Sequence, residues 1–314
     1  TETIWVGTGE VNAGGGSLAY DGNGVFKSTN GGITWQSKGL PNVGSISKIG
    51  IDPDNDDAIF VSAMGPLFRN DTNRGVYKSV DGGDTWEQKL FVSDSTGIID
   101  MAIHPTNGDI IYAASWERIR RPQYRHYGGE TSRLYRSLDG GDTWIEMTNG
   151  LPSLPSEKGR ISIAISQSNP EVLYSRYADA TGNIQGVYKT VDGGDVWTEV
   201  NGSGLQNVGF HWWFRGVVID PDDENIIYNV DFNVQKSTDG GANWSPAFPG
   251  AHVDQHALAF NRMVPGAVVL GNDGGVYYSA DDGASYLKDV SLPITQFYRV
   301  HVDAQNDAKV YGGA

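Results

Sequence analysis

Cysteine is absent from this chain of 314 residues, which excludes disulfides, thiolate metal sites and a thiol nucleophile. Positive charge is scarce as well. Lys and Arg number 23 against 38 Asp and Glu, a formal net charge of −15. A chain so acidic lacks the basic face that a phosphate backbone needs, so no nucleic-acid partner is expected. Electrostatic docking to an anionic membrane is disfavoured for the same reason. No apolar run approaches the length of a membrane span, so no membrane insertion is expected. No signal peptide is visible, and a mature or trimmed chain would have lost one. Nothing resembles a phosphate loop or a nucleotide fold.

Glycine is abundant, at 42 residues, with 9 Trp and 15 Tyr. That profile suits many short strands joined by tight turns. One eight-residue phrase organises them. Ser28 to Trp35 reads Ser-Thr-Asn-Gly-Gly-Ile-Thr-Trp. It recurs at Ser79 to Trp86, Ser137 to Trp144, Thr190 to Trp197 and Ser237 to Trp244, and in degenerate form at Ser279 to Tyr286. The third position is Asn30, Asp81, Asp139, Asp192, Asp239 and Asp281, and successive copies lie 51, 58, 53, 47 and 42 residues apart. Those intervals fit four-stranded propeller blades. The carboxylate can accept from backbone N–H groups just beyond it, and the Gly pair supplies the positive φ of a tight hairpin. The Trp opens the next strand and can bury its ring between blades. Each unit therefore reads as strands A, B and C, the turn, then strand D.

The fold expected is all-β: a β-propeller of four-stranded antiparallel blades, as one segment over 1–314. Complete blades are expected at 43–92, 93–151, 152–204, 205–249 and 250–292, with partial blades at 1–42 and 293–314. Stopping in mid-blade at both ends suggests a longer chain and a ring of seven or more blades. The A-to-B turn Asp52 to Asp57 resembles a calcium loop only superficially, because it lacks the required Gly and distant Glu. Sequons occur at Asn70, Asn201 and Asn243.

The eight-residue phrases are similar to the Asp boxes of bacterial-neuraminidase-repeat and sortilin-like propellers. Val6 to Glu10, Ala63 to Leu67, Trp116 to Pro122, His252 to His256, Gly271 to Gly275 and Ile294 to Tyr298 resemble a narrower group. These are large secreted bacterial proteins of sortilin-like or glycosyl-hydrolase-like label, and the resemblance covers nearly the whole chain. It implies an extracellular or cell-surface bacterial protein joined to further domains. It says little about activity.

The Asp-box and A-to-B turns should share one face, and the longer B-to-C and D-to-A loops the other. Function is expected on the long-loop face. Three constellations stand out there. Trp116, Arg118, Arg120, Arg121, Tyr124, Arg125 and Tyr127 offer guanidinium forks and aromatic rings for an acidic glycan or partner loop, or arginines for the protein's own carboxylates. His211, Trp212 and Trp213 form a carbohydrate platform or cap the core. His252, Asp254 and His256 share a face if the backbone is extended, with Asp273 close by. They suit a single metal ion, an acid–base cluster or a structural hydrogen-bond cluster. No cofactor is otherwise required. Glu10, Glu117 and Asp254 are candidate catalytic carboxylates by loop position.

The sialidase reading fails, because Arg118-Ile-Arg-Arg-Pro is neither the motif nor the position those enzymes need. The preferred reading is a non-enzymatic propeller binding a protein or glycan ligand through the long-loop face. The alternatives are a two-propeller glycoside hydrolase module and a structural component of a surface layer.

Overall fold

The recurrent turn sets the architecture. The computed structural model describes residues 2–12, 20–200, 204–292, 299–303 and 306–313. The phrase Ile294 to Tyr298 and the sequon at Asn201 lie outside the described residues. In the second copy, Ser79 Oγ donates to Asp81 Oδ1 at 2.8 Å and accepts from the Gly83 N–H at 2.9 Å. Asp81 then accepts from the Thr85 N–H at 2.9 Å and from the Thr85 hydroxyl at 2.6 Å. The same bonds recur around Asp139 and Asp281. Asn30 reproduces the geometry with an amide, accepting from the Thr34 N–H and donating to its hydroxyl. The position after the acid needs a left-handed backbone: φ is 67° at Gly82 and 68° at Gly140. Asp282 occupies it in the degenerate copy, at φ 59°. Asp tolerates that region better than most side chains do.

These turns join antiparallel strands into blades. Blade 1 has Ile4–Gly7, Val25–Ser28 and Gln36–Ser37. Blade 2 has Ile46–Asp52, Asn55–Ala63, Gly75–Ser79 and Glu87–Leu90. Blade 3 has Thr96–Ile103, Ile111–Glu117, Leu134–Ser137 and Ile145–Met147. Blade 4 has Ile161–Ile165, Leu173–Ala178, Ile184–Thr190 and Thr198–Val200. Blade 5 has Gly216–Ile219, Ile227–Val230, Val234–Ser237 and Ser245–Pro246. Blade 6 has Gln255–Phe260, Val268–Asn272, Gly275–Ser279 and Leu287–Lys288. Arg299–Asp303 and Asn306–Gly313 pair antiparallel after them.

Strands A of blades 2, 3, 4 and 5 pack side by side and line the axis. The described residues form a six-bladed β-propeller. Because neighbouring strands are antiparallel, A-to-B and C-to-D turns share one end of every sheet and the other loops share the opposite end.

The core is divided. Val25, Ile59 and Val61 pack between blades 1 and 2. Phe60, Ile98 and Ile111 fill the next gap. Trp116, Leu134, Ile161 and Tyr177 fill that between blades 3 and 4. Tyr174, Val217 and Trp244 follow, then Tyr228, Leu258 and Leu270. The turn tryptophans join this packing unequally. Trp197 and Trp244 are buried, but Trp35 on blade 1 remains 42% exposed.

Hydrogen bonds hold the turn carboxylates well below the usual range. Asp81, Asp139 and Asp239 fall to about 2, chiefly through the side-chain bond from Thr85, Thr143 and Asn243 respectively. Asp192 and Asp281 are lowered in the same direction. A depressed folded pKa contributes stability above the unfolded value of roughly 4, which is lost as pH falls toward about 2. The fold should therefore weaken steeply over that window, as monitored by circular dichroism in a pH series. Asp139→Asn should flatten the slope and leave neutral stability nearly unchanged, since Asn30 already makes an equivalent turn. An unaltered slope would mean that the turns do not set acid sensitivity.

Candidate functional site

The long-loop face brings the expected constellations together, largely from beneath. Trp116 closes strand B of blade 3 and is fully buried, its indole N–H donating to the Tyr127 carbonyl at 3.0 Å. The Arg118 guanidinium stacks 4.7 Å from its ring and donates to the Val11 carbonyl. Arg118 is only 2% exposed, and burial pulls its pKa down to about 9. Tyr127 is buried and meets Trp212 edge-on at 5.2 Å. The buried members of the first two constellations thus join in one internal cluster, and Trp116, Arg118, Tyr127 and Trp212 are not a ligand platform. Their loops run over the surface, but the rings and the guanidinium turn inward to fill the gap between blades 3 and 4.

The rest of the first constellation lies further out. Ile119–Arg121 and Tyr124–His126 form a hairpin inside the B-to-C loop of blade 3. Tyr124 and Arg125 are exposed at its tip. Arg120 is half-buried, its N–H donating to the Leu67 carbonyl. Arg121 donates to the Phe68 carbonyl and to Asn70 Oδ1. Glu117 braces this hairpin, its carboxylate accepting from the Thr131 N–H, the Thr131 hydroxyl and His126 Nε2. Despite burial, those bonds keep its pKa low, so it is poorly suited to donate a proton. Glu10 is exposed and accepts from the Asn12 N–H at 2.6 Å.

His211 is buried beside blade 5. Its Nδ1 lies 2.8 Å from Asp231, while its Nε2 accepts from the Val208 N–H at 3.1 Å. That pattern places the proton on Nδ1 and leaves the ring neutral. Burial, with Arg176 close by, pulls the pKa down to about 3. Arg176 donates to Asp231, to Asn229 Oδ1 and to the His211 carbonyl, and only 1% of it is exposed. This trio is structural, so His211 is unavailable to ligand. Trp213 is half-buried and stacks on exposed Phe210, with ring centroids 5.5 Å apart and planes 16° apart.

The third constellation does not converge as an extended segment would. Asp254 has φ 65°, and strand A of blade 6 begins only at Gln255, with a register shift before Ala257. The alternation that would align His252, Asp254 and His256 is therefore broken. His252 Nδ1 lies against the Val253 carbonyl, and His256 Nε2 contacts Asp273 Oδ1 at 2.9 Å. Among the described residues no three His, Asp or Glu are placed to hold a metal ion. Asp254 is half-buried, and its carboxyl accepts no hydrogen bond among the described residues. Burial and the nearby Asp273 raise its pKa.

Several groups on this face were not singled out by sequence. Arg69 bridges two carboxylates, reaching Asp21 Oδ2 at 2.7 Å and Asp71 Oδ2 at 3.2 Å. Asp21 is 42% exposed at its side chain. At the axis, Lys48 pairs with Asp100 at 3.1 Å, and Arg160 donates to Asn12 Oδ1 and the Trp212 carbonyl. Asp100 and Arg176 do carry a signal, since each is a charge inside an otherwise apolar strand.

No family model matches the chain. Among curated proteins, it is 23% identical over 286 residues to a xyloglucanase of Hypocrea jecorina, covering 79% of this chain and 32% of the relative. It is 25% identical over 249 residues to Xyloglucanase Xgh74A of Acetivibrio thermocellus, covering 70% and 28%. The chain thus spans between about a quarter and a third of the length of the curated relatives it matches. Among solved structures, an ancestral GH74 enzyme superposes with TM-score 0.66 at 21% identity, over 92% of this chain and 40% of that one. YCF48 from Cyanidioschyzon merolae superposes with TM-score 0.57 at 15% identity, over 92% and 85%. These likenesses show the propeller fold. The expectation of a purely binding, non-enzymatic propeller is overturned, because the curated relatives it matches are named xyloglucanases. Among the described residues no helix is long and apolar enough to cross a membrane.

Proposed function

We propose that the chain is one propeller unit of a glycoside hydrolase acting on a xyloglucan-type glycan through its long-loop face. The observation that carries this reading is the sequence match, over two-thirds or more of the chain, to proteins named xyloglucanases. Glycoside hydrolysis needs two carboxyl groups, one to protonate the leaving oxygen and one to activate water or attack the sugar. Asp254 suits the acid role: its pKa is raised, its carboxyl is uncommitted and its backbone is held at positive φ. Asp21 and Asp273 are the carboxylates offered for the second role. The chemistry requires water and no cofactor. A polysaccharide substrate places the protein outside the cell, and the long relatives fit further domains in the same chain.

The test is reducing-sugar release from xyloglucan by the full-length protein. Release is expected from xyloglucan and not from an unrelated polymer such as chitin. Failure to release sugar from xyloglucan or any other β-glucan would overturn the reading.

A further inference from the structure

The mouth of the central channel is a pocket of charge that hydrolysis of a neutral glucan does not use. A cavity of about 170 Å³ on the long-loop face is lined by Asn12, Lys48, Asp100, Arg160, Arg215 and His256. It shares Lys48, Asp100 and Arg215 with a cavity of about 350 Å³ that continues along the axis between the A strands. In a chain of net charge −15, this mouth carries three fixed cations. Asp100 answers Lys48 and also accepts from the backbone N–H groups of Met101 and Ile163. Glu10 acts through space on Arg160.

Arg215 has no such answer: among the described residues it makes no hydrogen bond or ion pair. Arg160 is 6% exposed, and its Nε finds no partner among the described residues. A buried, unpartnered guanidinium N–H is costly unless something accepts from it. Among the lining side chains, Lys48, Arg160 and Arg215 face the single carboxylate of Asp100, an excess of positive charge. The planar fork of an arginine matches a carboxylate. Two residues before Arg215, Trp213 stacks with exposed Phe210, the kind of flat aromatic surface on which a sugar ring can lie.

The geometry points to a uronate site: the channel mouth binds the carboxylate of an acidic sugar through Arg215 and Arg160, with its ring against Phe210 and Trp213. The sugar in this ligand rests on the hydrolase reading, whereas the negative charge rests on the mouth alone. Calorimetric titration of the full-length protein with glucuronate, glucose and acetate separates the two. Glucuronate is expected to bind about ten-fold or more tightly than either glucose or acetate. Arg215→Met should abolish that margin without moving the thermal midpoint, and added salt should weaken glucuronate selectively. Equal binding of glucuronate and glucose, or no binding, overturns the site. Equal binding of acetate and glucuronate overturns the sugar. Xyloglucan hydrolysis without glucuronate binding would sink this inference alone. Glucuronate binding without hydrolysis of any glucan would sink the earlier reading alone.

Discussion

Asp254→Asn is expected to lower kcat for xyloglucan by about 10²–10⁴-fold, the usual range for losing a general acid or base. The substitution keeps size and polarity, and Asn tolerates positive φ as well as Asp does, so the backbone at φ 65° need not move. What disappears is a proton held by a carboxyl that burial and Asp273 keep protonated to higher pH than usual. The alkaline limb of the wild-type rate profile should report loss of that proton, and the variant should lack this limb. Asp21→Asn is the companion variant, because Asp21 is another accessible carboxylate on the face. A fall confined to Asp21→Asn would move the acid to the Arg69 cluster. Full activity in both variants would remove both from the chemistry.

The second large effect is on stability. Asp231→Ala is expected to cost about 3–5 kcal/mol, read as the shift in denaturant midpoint at neutral pH. Asp231 is 3% exposed and neutralises Arg176, which is 1% exposed. Removing the carboxylate leaves a guanidinium charge inside the protein. The Nδ1–H of His211 and the Phe232 N–H lose their acceptor as well. Replacing the pair together, as Arg176→Met with Asp231→Leu, should recover most of the loss, since an apolar pair carries no stranded charge. His211 adds a signature in wild type. Its folded pKa of about 3 lies below the unfolded value near 6.5, so the unfolded chain binds the extra proton between them. Stability is therefore fully present above about pH 6.5 and falls as pH drops toward about 3. A loss under 1 kcal/mol for Asp231→Ala would mean that the charge is solvated in a way its burial does not show.

The turns were legible in sequence because their chemistry is local. Ser79, Asp81, Gly82, Gly83 and Thr85 satisfy one another within seven residues, so spacing alone carries the geometry. The strands followed from the turns. The site was less legible, because a side chain on irregular backbone carries no sequence mark of its direction. Trp116 and Arg118 sit where a loop is expected, yet they fill the gap between two blades. Reading His252, Asp254 and His256 as one face assumed an extended backbone, which the positive φ at Asp254 breaks. Arg176 and Asp100 were overlooked although each is a lone charge in an apolar strand, the local conflict that often marks a buried network.

The divided core has a consequence for how the molecule comes apart. Each apolar cluster joins consecutive blades, so cohesion is a sum of nearest-neighbour couplings rather than one shared interior. Amide exchange should be slowest in blades 3 and 4, whose shared gap holds the largest cluster among the described residues.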